Sequence, residues 1–500
     1  MKNRIKDMIV YLSCIIFVAS NILVRQLNNL DELWNFNFAN CVSNGLIPYK
    51  DFNMVQTPLL PLICGNILKI FGQEIYVMRF LAVILCSSIL FLMYKILGKL
   101  KVNDFFKFIS LIFSAFLMND YFTIDYNWAT LFTLLIIIYL EIPKKYKDDN
   151  LVTESLLLKH DIKKDTVIGL LAGICIMLKQ NTGLLISIVS VCYKVFEIRY
   201  KGQIKEFIKI AINRAVGVLL PIIIIGIYLF INGAIEDFVD YCILGVSTFT
   251  NKISYAQRLL NNKNIIYRVL SIMPILLFVM FILYFVKKEK NYLIISLYGM
   301  AEFIIVYPIS DESHFVIALC LIFIATAYLI NKVVEKIFAS VERYKKINFV
   351  LSNTIMAFMI VVSCLNAYEK IEIYKELNIN YEIKHYMGIA MSEIQMENIR
   401  KIDEYISNAE KNIYVLDAQA AIYMIPIDRY NKNYDMFLKG NLGSKGEEGQ
   451  IENLQSDAEK IVLILNDKYL RNWQNPENVR KYIIQNMNYV GEIGVFDIYE

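Results

Sequence analysis

The sequence predicts an all-α polytopic membrane bundle of about eleven transmembrane helices, followed by a small C-terminal extracytoplasmic α/β domain. Hydrophobic residues make up 57% of the 500 positions and charged residues 20%, whereas soluble globular chains have about 45–50% and about 25%. Several apolar runs approach the roughly twenty residues that cross a hydrocarbon core of about 30 Å. Residues 371–500, by contrast, are polar and alternate helix-like with strand-like runs.

Eleven apolar segments are predicted to span the membrane. They cover about 8–26, 76–97, 104–119, 127–142, 166–179, 182–197, 211–231, 265–286, 291–307, 314–331 and 347–367. Lys and Arg residues concentrate in alternate connections, which places the N-terminus in the cytoplasm by the positive-inside rule. An odd number of spans then places the residues after the last span outside. The first helix begins with basic residues but lacks a small-residue cleavage site, so we expect it to be retained.

Two domains follow from this organisation: a transmembrane domain over residues 1–370 and a soluble extracytoplasmic domain over residues 371–500. In the second domain, strands are predicted at 413–418, 460–466 and 489–500, and helices near 392–410 and 475–487. The glycines at 440, 443, 446 and 449 lie in a charged loop without strand–turn–helix context, which argues against a nucleotide site. No basic stripe marks a soluble face, so nucleic acid is not expected as a partner. The nine cysteines contain no CxxC pair, which argues against a zinc site or a disulfide framework.

The first outer loop, residues 27–75, begins with an acidic pair, Asp31 and Glu32, just after the first span. A carboxylate at the edge of the bilayer is costly to desolvate unless something uses it. The pair is therefore a candidate for chemistry on a membrane-bound substrate, with solvated loop residues as the alternative. Further along, residues 54–71 predict a helix that begins at its prolines and ends at Gly72. Such a helix can shape the entry for a lipid or simply pack on the bundle.

Other polar residues near the membrane are also expected on the outer side. Asp120 and Asp125 lie between the third and fourth spans, Lys179 ends the fifth, Arg258 lies between the seventh and eighth, and His314 heads the tenth. Each has a structural alternative. The aspartates and the arginine can be solvated loop residues, the lysine can snorkel to the interface, and the histidine can belong to a helix cap formed by the preceding serine.

These residue types suit the transfer of a sugar from a polyprenyl phosphate, whose tail binds through the bilayer while its head group lies at the outer surface. Transfer to a hydroxyl needs a general base, and Asp31 fits that role. The departing phosphate gains negative charge, which preorganised cations stabilise. The candidate donor-phosphate ligands are Lys179, Arg79, Arg258 and His314. Arg79 lies within the second span, and a structural ion pair is its alternative.

The chain resembles the membrane-embedded GT-C glycosyltransferases, among them the protein O-mannosyltransferases and bacterial aminoarabinose-type lipid transferases. The resemblance covers roughly residues 8–370. It rests on the acidic pair, the G-x-x-P-Y-x-D-F run (Gly45, Pro48, Tyr49, Asp51, Phe52), TPLLPLICGNILKIFG, Arg79, Asp125-Tyr126-Asn127, GLLAGICIMLKQNTG and SDESHF. The resemblance and a composition rich in Ile, Lys and Asn favour a bacterial plasma membrane as the location.

The resemblance implies an inverting transfer on the extracytoplasmic face, from a polyprenyl-phosphate-linked sugar to an acceptor glycan, lipid or protein. It implies that Asp31 is catalytic and that Glu32 assists with the acceptor or with a divalent cation. A second acidic site would fall on Asp120 or Asp125, and Lys179 would contact the carrier phosphate. No cofactor is firmly implied, and a divalent cation held by Asp31 and Glu32 stays open. The polar tail resembles the soluble extracytoplasmic domains of some members.

Three other functions compete with this interpretation. A transporter or flippase of lipid-linked sugars needs polar residues along a path at mid-bilayer depth. The spans offer few, such as Asn21 and Glu302, and neither joins a chain of ionisable groups. A non-catalytic subunit of an envelope-synthesis complex would tolerate the loss of Asp31. A glycan polymerase or ligase usually needs a large outer loop with several arginines, whereas residues 232–264 contain only Arg258.

Overall fold

The computed structural model describes residues 2–27, 30–143, 161–198, 201, 203–248, 252–261, 264–338, 342–434, 436–471 and 473–500. The chain divides into two compact units, each built from discontinuous segments. Unit 1 comprises Met1–Ile22, Ala82–Ile224 and Ile253–Lys370. Unit 2 comprises Leu23–Leu81, Ile225–Lys252 and Ile371–Glu500. The first loop after α1 and the C-terminal segment therefore belong to the same unit.

Helices dominate the described residues. In chain order they are α1 (Lys2–Ile22), α2 (Leu30–Ser43), α3 (Leu59–Phe71), α4 (Ile75–Lys99), α5 (Asp104–Met118), α6 (Tyr126–Glu141), α7 (Ile162–Leu178), α8 (Gln180–Cys192), α9 (Gln203–Ile231), α10 (Ile235–Phe238), α11 (Tyr255–Asn261), α12 (Ile265–Ile272), α13 (Ile275–Lys287), α14 (Lys290–Phe303), α15 (Glu312–Phe338), α16 (Glu342–Lys375), α17 (Glu393–Asn408), α18 (Ala421–Met424), α19 (Gly446–Ser456) and α20 (Glu477–Asn486).

Six helical stretches in the described part of the chain are long and apolar enough to cross a membrane. They are Arg4–Ile22, Ile75–Lys99, Gln203–Ile231, Ile265–Lys287, Glu312–Phe338 and Lys346–Lys375. Their many exposed apolar side chains suit contact with lipid. The chain is accordingly a multi-pass membrane protein, as its composition predicts.

The other five predicted spans coincide with shorter helices. These are α5, α6, α7, α8 and α14, which have 15, 16, 17, 13 and 14 residues. At about 1.5 Å per residue, even seventeen residues extend only about 26 Å, which is short of a hydrocarbon core of about 30 Å. The predicted count of eleven membrane crossings is therefore not established by helix length.

Small residues bring α7 against α9 in unit 1. A Cβ atom added at Gly169 would lie 2.2 Å from the carbonyl oxygen of Arg214, and one at Gly173 would lie 2.3 Å from that of Val218. The two glycines are four residues apart, which is the spacing that lets helix backbones approach closely in membranes. The close packing fixes α7, whose C-terminal end carries Lys179.

Lys179 alone separates α7 from α8, and its backbone is extended. A Cβ at Gly183 would lie 2.2 Å from the backbone nitrogen of Ile176, so α8 folds back closely onto α7. The short apolar runs 166–179 and 182–197 predict such a hairpin with its turn at residues 180–183, whereas the turn lies at Lys179 and α8 already begins at Gln180. Because the turn is so tight, the position of Lys179 is fixed by the two helices on either side.

Unit 2 contains two helices of the first loop, α2 and α3, which pack on each other. The second one was expected from its prolines: α3 begins after Pro58 and ends at Gly72, where φ is +106°. The first one, α2, was not predicted, and nearly all of its residues after Asp31 are buried. The helix places Asp31 and Glu32 in its first turn.

A four-stranded sheet forms the C-terminal part of unit 2, with strand order β1-β2-β4-β3. The strands are β1 (Asn412–Leu416), β2 (Lys460–Leu465), β3 (Tyr489–Ile493) and β4 (Phe496–Tyr499). β1 and β2 are parallel, while β4 is antiparallel to β2 and β3. The predicted strand 489–500 is in fact a hairpin, since Gly494 turns the chain with φ of +56°. The sheet buries an apolar core with α19 and α20.

Candidate active site

Asp31 and Glu32 stand at the N-terminal end of α2, where the helix dipole favours negative charge. Asp31 is half-buried, and its carbonyl oxygen accepts a hydrogen bond of 2.8 Å from Asn35 Nδ2. Trp34, one turn further on, donates from its indole nitrogen to the carbonyl oxygen of Ala418 at 2.6 Å. The start of α2 is therefore tied to the C-terminal segment of the same unit.

Glu32 is only 1% exposed and is paired with two arginines. Arg79 Nε lies 2.8 Å from Oε1 and Arg79 Nη2 lies 3.2 Å from Oε2, while Arg25 Nη2 lies 3.2 Å from Oε1. Burial alone would raise the pKa of Glu32, but the two guanidinium groups hold it below its usual value. Glu32 is thus an ionised carboxylate that forms ion pairs with Arg79 and Arg25.

Arg79 is completely buried, and its donors are used within unit 2. Besides the bonds to Glu32, Nη1 donates to the carbonyl oxygens of Arg25 at 2.8 Å and Leu23 at 3.4 Å, and Nη2 lies 3.5 Å from that of Gln26. This is the ion-pair alternative that the sequence left open. The arginine orders the chain that leads from α1 into α2.

The residues around Asp31 do not fit a divalent-cation site. Among the described residues, no group of three or more His, Cys, Asp or Glu side chains is arranged to hold a metal ion. The carboxylate of Glu32 already faces two guanidinium groups, and a cation would have to displace them.

Unit 1 brings Asp125, Asn127 and Lys179 together. Asp125 caps α6 by accepting a 2.8 Å hydrogen bond from the backbone N–H of Trp128. Lys179 Nζ donates to Asn127 Oδ1 at 2.5 Å and lies 5.4 Å from the ring centre of Tyr126. Burial raises the pKa of Asp125 to about 6, although backbone hydrogen bonds and the charge of Lys179 oppose the rise. Of the two candidates for a second acidic site, Asp125 is thus the buried one.

Asp120 has a different setting. It is exposed on the short turn between α5 and α6, where its backbone N–H donates to Asn119 Oδ1 at 2.7 Å. Its neighbour Tyr121 links two connecting segments of unit 1. The carbonyl oxygen of Tyr121 accepts from Trp128 Nε1 at 2.9 Å, and its hydroxyl donates to Glu312 at 2.8 Å.

Glu302, near the end of α14, also lies close to Lys179. It is 1% exposed, and neither carboxylate oxygen has a hydrogen-bond partner among the described residues. The charge of Lys179 acts on both Glu302 and Asp125. Lys179 is only 7% exposed. It is therefore a buried cation whose charge acts on two acidic groups.

Arg258, on α11, presents unused donors inside unit 1. Its Nη1 donates to the carbonyl oxygen of Ser310 at 3.2 Å, and its guanidinium lies 4.1 Å from the ring centre of Phe315. Only 7% of the residue is exposed, yet Nε and Nη2 have no hydrogen-bond partner among the described residues. The hydroxyl of Ser310 is also buried, and it has no hydrogen-bond partner among the described residues.

His314 lies in the first turn of α15. It precedes Phe315, whose ring contacts Arg258. Its Nδ1 is 2.7 Å from Asp311 Oδ1, and its backbone N–H donates to the same oxygen at 2.9 Å. Asp311, rather than Ser313, is therefore the residue that caps the helix. Burial would raise the pKa of Asp311, but the contacts with His314 hold it below its usual value.

The structure thus sorts the predicted residues by unit. Glu32 and Arg79 pair in unit 2, next to Asp31, whereas Asp120, Asp125, Lys179, Arg258 and His314 belong to unit 1. Sequence reasoning missed Ser310, which carries no chemical signature of its own. It also missed a buried network in which Arg214 binds Asp165 and Glu141, although charges inside apolar runs were a visible signal.

No protein-family model matches the chain, and no curated protein matches its sequence. Solved structures do match. The oligosaccharyltransferase AglB from Archaeoglobus fulgidus is 12% identical with a TM-score of 0.51, covering 100% of this chain and 74% of AglB. The transferase ArnT from Cupriavidus metallidurans is 10% identical, with TM-scores of 0.56 in its apo state and 0.53 with undecaprenyl phosphate. These matches cover 98% of this chain and 97% of ArnT.

At these identities the likeness is one of fold, and it extends over nearly the whole chain. AglB and ArnT are both GT-C membrane glycosyltransferases. The chain is therefore a multi-pass membrane protein with the GT-C fold, which is the fold that the resemblance in its sequence implies.

Proposed function

We propose that the protein is an inverting glycosyltransferase that moves a sugar from a polyprenyl-phosphate donor to an acceptor on the extracytoplasmic face of a bacterial plasma membrane. Its fold supports this, because AglB has been solved with a dolichol-phosphate and ArnT with undecaprenyl phosphate. Both are proteins of the same fold that hold a polyprenyl-type phosphate.

The observation that carries the proposal is the unused edge of Arg258. Its Nε and Nη2 form the side of the guanidinium that binds two oxygens of a phosphate at once. A buried donor without an acceptor costs about 1–3 kcal/mol, and more when it is charged. Both nitrogens and the Ser310 hydroxyl lack acceptors among the described residues. A lipid phosphate would satisfy all three groups, and its charge would balance that of the arginine.

Lys179 is less suited to hold the phosphate. Two unit charges 4 Å apart interact by about 4 kcal/mol at an effective dielectric constant of 20. Carboxylates beside the lysine would therefore repel an approaching phosphate. Lys179 has Asp125 and Glu302 beside it, and its amine is engaged by Asn127. We therefore propose that Lys179 positions Asn127 and lowers the pKa of Asp125.

Acidic groups also act on Arg258, but they have partners of their own. Asp311 is bound to His314, and Glu312 accepts from the hydroxyl of Tyr121. The Nε–Nη2 edge of Arg258 is therefore left without a hydrogen-bonded counter-ion among the described residues. His314 supports the site indirectly in this proposal, by holding Asp311.

Asp31 is the better of the two acidic residues as a general base. Glu32 is ionised and matched by two arginines, which lowers its affinity for a proton. Asp31 is half-buried and keeps access to solvent. In the proposed step Asp31 takes the proton of an acceptor hydroxyl, and the oxygen bonds to the anomeric carbon. The bond from that carbon to the phosphate oxygen breaks on the opposite face, which inverts the configuration. The departing polyprenyl phosphate gains negative charge, which a cation stabilises.

Binding of undecaprenyl phosphate, measured by native mass spectrometry on the full chain, tests the proposal without knowledge of the sugar. Arg258→Gln removes charge-assisted hydrogen bonds worth about 1.5–3 kcal/mol, so we expect binding about 10- to 100-fold weaker. Arg268→Gln, at an exposed position on α12, is the matched control and should bind like wild type. Equal binding by the Arg258 variant would reject the phosphate site.

One observation favours transport of the same lipid as the alternative. The unpartnered carboxylate of Glu302 lies in a predicted span, where ionisable groups often serve translocation. A flippase would lose lipid translocation in liposomes when Glu302 is changed to Gln. A glycosyltransferase of the proposed kind needs no such translocation, so a protein that moves the lipid across the bilayer in this assay would favour the alternative.

A further inference from the structure

A polar groove lies in unit 2 between β1, the end of α19 and residues 429–434. It encloses about 910 Å³, counting its open mouth. Asparagine, tyrosine and charged side chains form most of its lining, and Ile406, Ile413 and Met424 are the apolar exceptions. The groove involves none of the predicted catalytic or phosphate-binding residues.

One wall of the groove is fixed by hydrogen bonds to Asp457. The hydroxyl of Tyr414 donates to its Oδ2 at 2.6 Å, and Asn412 Nδ2 donates to the same oxygen at 2.9 Å. The rings of Tyr414 and Tyr434 meet edge to face with their centres 5.2 Å apart. These contacts hold the aromatic part of the groove in one conformation.

The opposite wall is fixed by residues of the first loop, of α10 and of the segment that follows α10. Asn433 Oδ1 accepts from Asn53 Nδ2 at 2.6 Å and from the hydroxyl of Tyr241 at 2.9 Å. Lys432 Nζ lies 2.6 Å from Asp237 Oδ2. A groove whose walls are already ordered loses little conformational entropy when a ligand binds.

The groove also offers side chains that point to a ligand. Arg429 and Asn453 are exposed, and in the described part of the chain no hydrogen bond or ion pair involves their side chains. A side-chain amide both donates to and accepts from hydroxyls, whereas a guanidinium group only donates to them. Tyrosine presents an apolar ring face together with a polar tip. An apolar lipid chain would leave these groups unpaired at a cost.

We infer that this groove binds a saccharide. A polyhydroxylated ring satisfies the amides and the arginine while its C–H face packs on tyrosine, and few other ligand classes need both. The groove meets α2, because the hydroxyl of Tyr430 accepts from Asn40 Nδ2 at 3.2 Å. Asn40 is nine residues from Asp31, or about 14 Å along the helix at about 1.5 Å per residue.

The identity of the saccharide rests on the proposed function. A bound glycan near α2 belongs either to the acceptor or to the lipid-linked donor, and the two share the chemistry that the groove recognises. Two probes separate them. One is a set of end-labelled oligosaccharides cut from the envelope glycan of the producing cell, and the other is a labelled set released by mild acid from its lipid-linked pool.

Binding of both probe sets to the full-length protein in detergent is measured by fluorescence polarisation. Asn453→Trp places a large ring into the groove from an exposed position, so it should not affect folding. We expect it to weaken binding of one probe set at least tenfold. Gln455→Trp, exposed on the same helix but outside the groove lining, is the matched control and should bind like wild type.

Three outcomes are informative. Binding of one set by wild type and its loss in Asn453→Trp alone support the inference and identify the source of the glycan. The absence of binding to either set by wild type, or equal binding by the two tryptophan variants, overturns it. Arg258→Gln separates this inference from the proposed function, because it should lose undecaprenyl phosphate while its saccharide binding stays unchanged.

Discussion

Arg79 and Glu32 form a bidentate ion pair in which neither side chain reaches solvent, with N–O distances of 2.8 and 3.2 Å. The pair connects the first turns of α4 to the first turn of α2. It therefore fixes the helix turn that carries Asp31. We regard the arginine as the residue that orders the proposed base, and the glutamate as its permanent counter-ion.

Loss of one partner of this pair should destabilise the protein strongly. Arg79→Met leaves a buried carboxylate with less compensation, which typically costs about 3–5 kcal/mol. We expect a clearly lower Tm in detergent. The double variant Glu32→Gln, Arg79→Met should recover part of the loss, because the buried carboxylate is then neutral and only the partly exposed Arg25 loses Glu32 as a counter-ion. Arg25→Gln, at a partly exposed arginine, is the milder comparison. A stable Arg79→Met protein that binds undecaprenyl phosphate poorly would instead make Arg79 a phosphate ligand.

Asp125 should make stability depend on pH. Its pKa is raised to about 6 from the ordinary 3.8, and each unit of such a rise corresponds to about 1.4 kcal/mol. Below about pH 4 the group is protonated in both the folded and the unfolded state. As the pH rises, the unfolded state loses the proton first. Stability therefore falls by about 3 kcal/mol until the pH passes about 6.

Thermal unfolding of wild type and Asp125→Asn across pH 4–8 measures this effect. The difference in Tm between the two proteins should change in favour of the variant as the pH rises from about 4 to about 6, and should then stay level. The amide keeps an oxygen that can accept the helix-capping bond from Trp128. A difference that stays constant over this range would show that Asp125 does not titrate there.

Lys179→Met separates two roles of the lysine. Its charge lowers the pKa of Asp125, so its removal should move the pH window of the previous experiment upward. Undecaprenyl phosphate should still bind within about threefold of wild type, because Arg258 holds the phosphate in our proposal. Lys179→Arg keeps the charge and is the control. A loss of lipid binding as large as that of Arg258→Gln would return the phosphate role to Lys179.

Much of the fold was predictable from local patterns. Apolar runs coincide with helices, and the polar tail has helices and strands close to the predicted ranges. The motif resemblance implied the GT-C fold that the solved structures match. Local patterns could not predict α2, because its buried face mixes asparagines such as Asn37 and Asn40 with Phe36 and Phe38. Such a helix has no apolar stripe to reveal it.

The site was less predictable, because its pairings join residues far apart in sequence. Glu32 and Arg79 are 47 positions apart, so the partner of a suspected ion pair could not be chosen from spacing. Ser310 became a candidate only because its carbonyl oxygen accepts a hydrogen bond from Arg258. Lys179 could be chosen as a candidate from its residue type, but the sequence did not show that its charge acts on Glu302. Burial and neighbours, which change the charge of a site, are properties of the folded chain.

Mass analysis of envelope glycans tests the central claim most directly. A strain that lacks the gene is complemented with wild-type protein or with Asp31→Asn at matched membrane levels. We predict that one sugar addition is absent without the gene, returns with wild type and stays absent with Asp31→Asn. If that sugar addition returns at the normal level with Asp31→Asn, Asp31 is not the base. If the glycans are unchanged by the loss of the gene, the proposed glycosyltransferase activity is wrong.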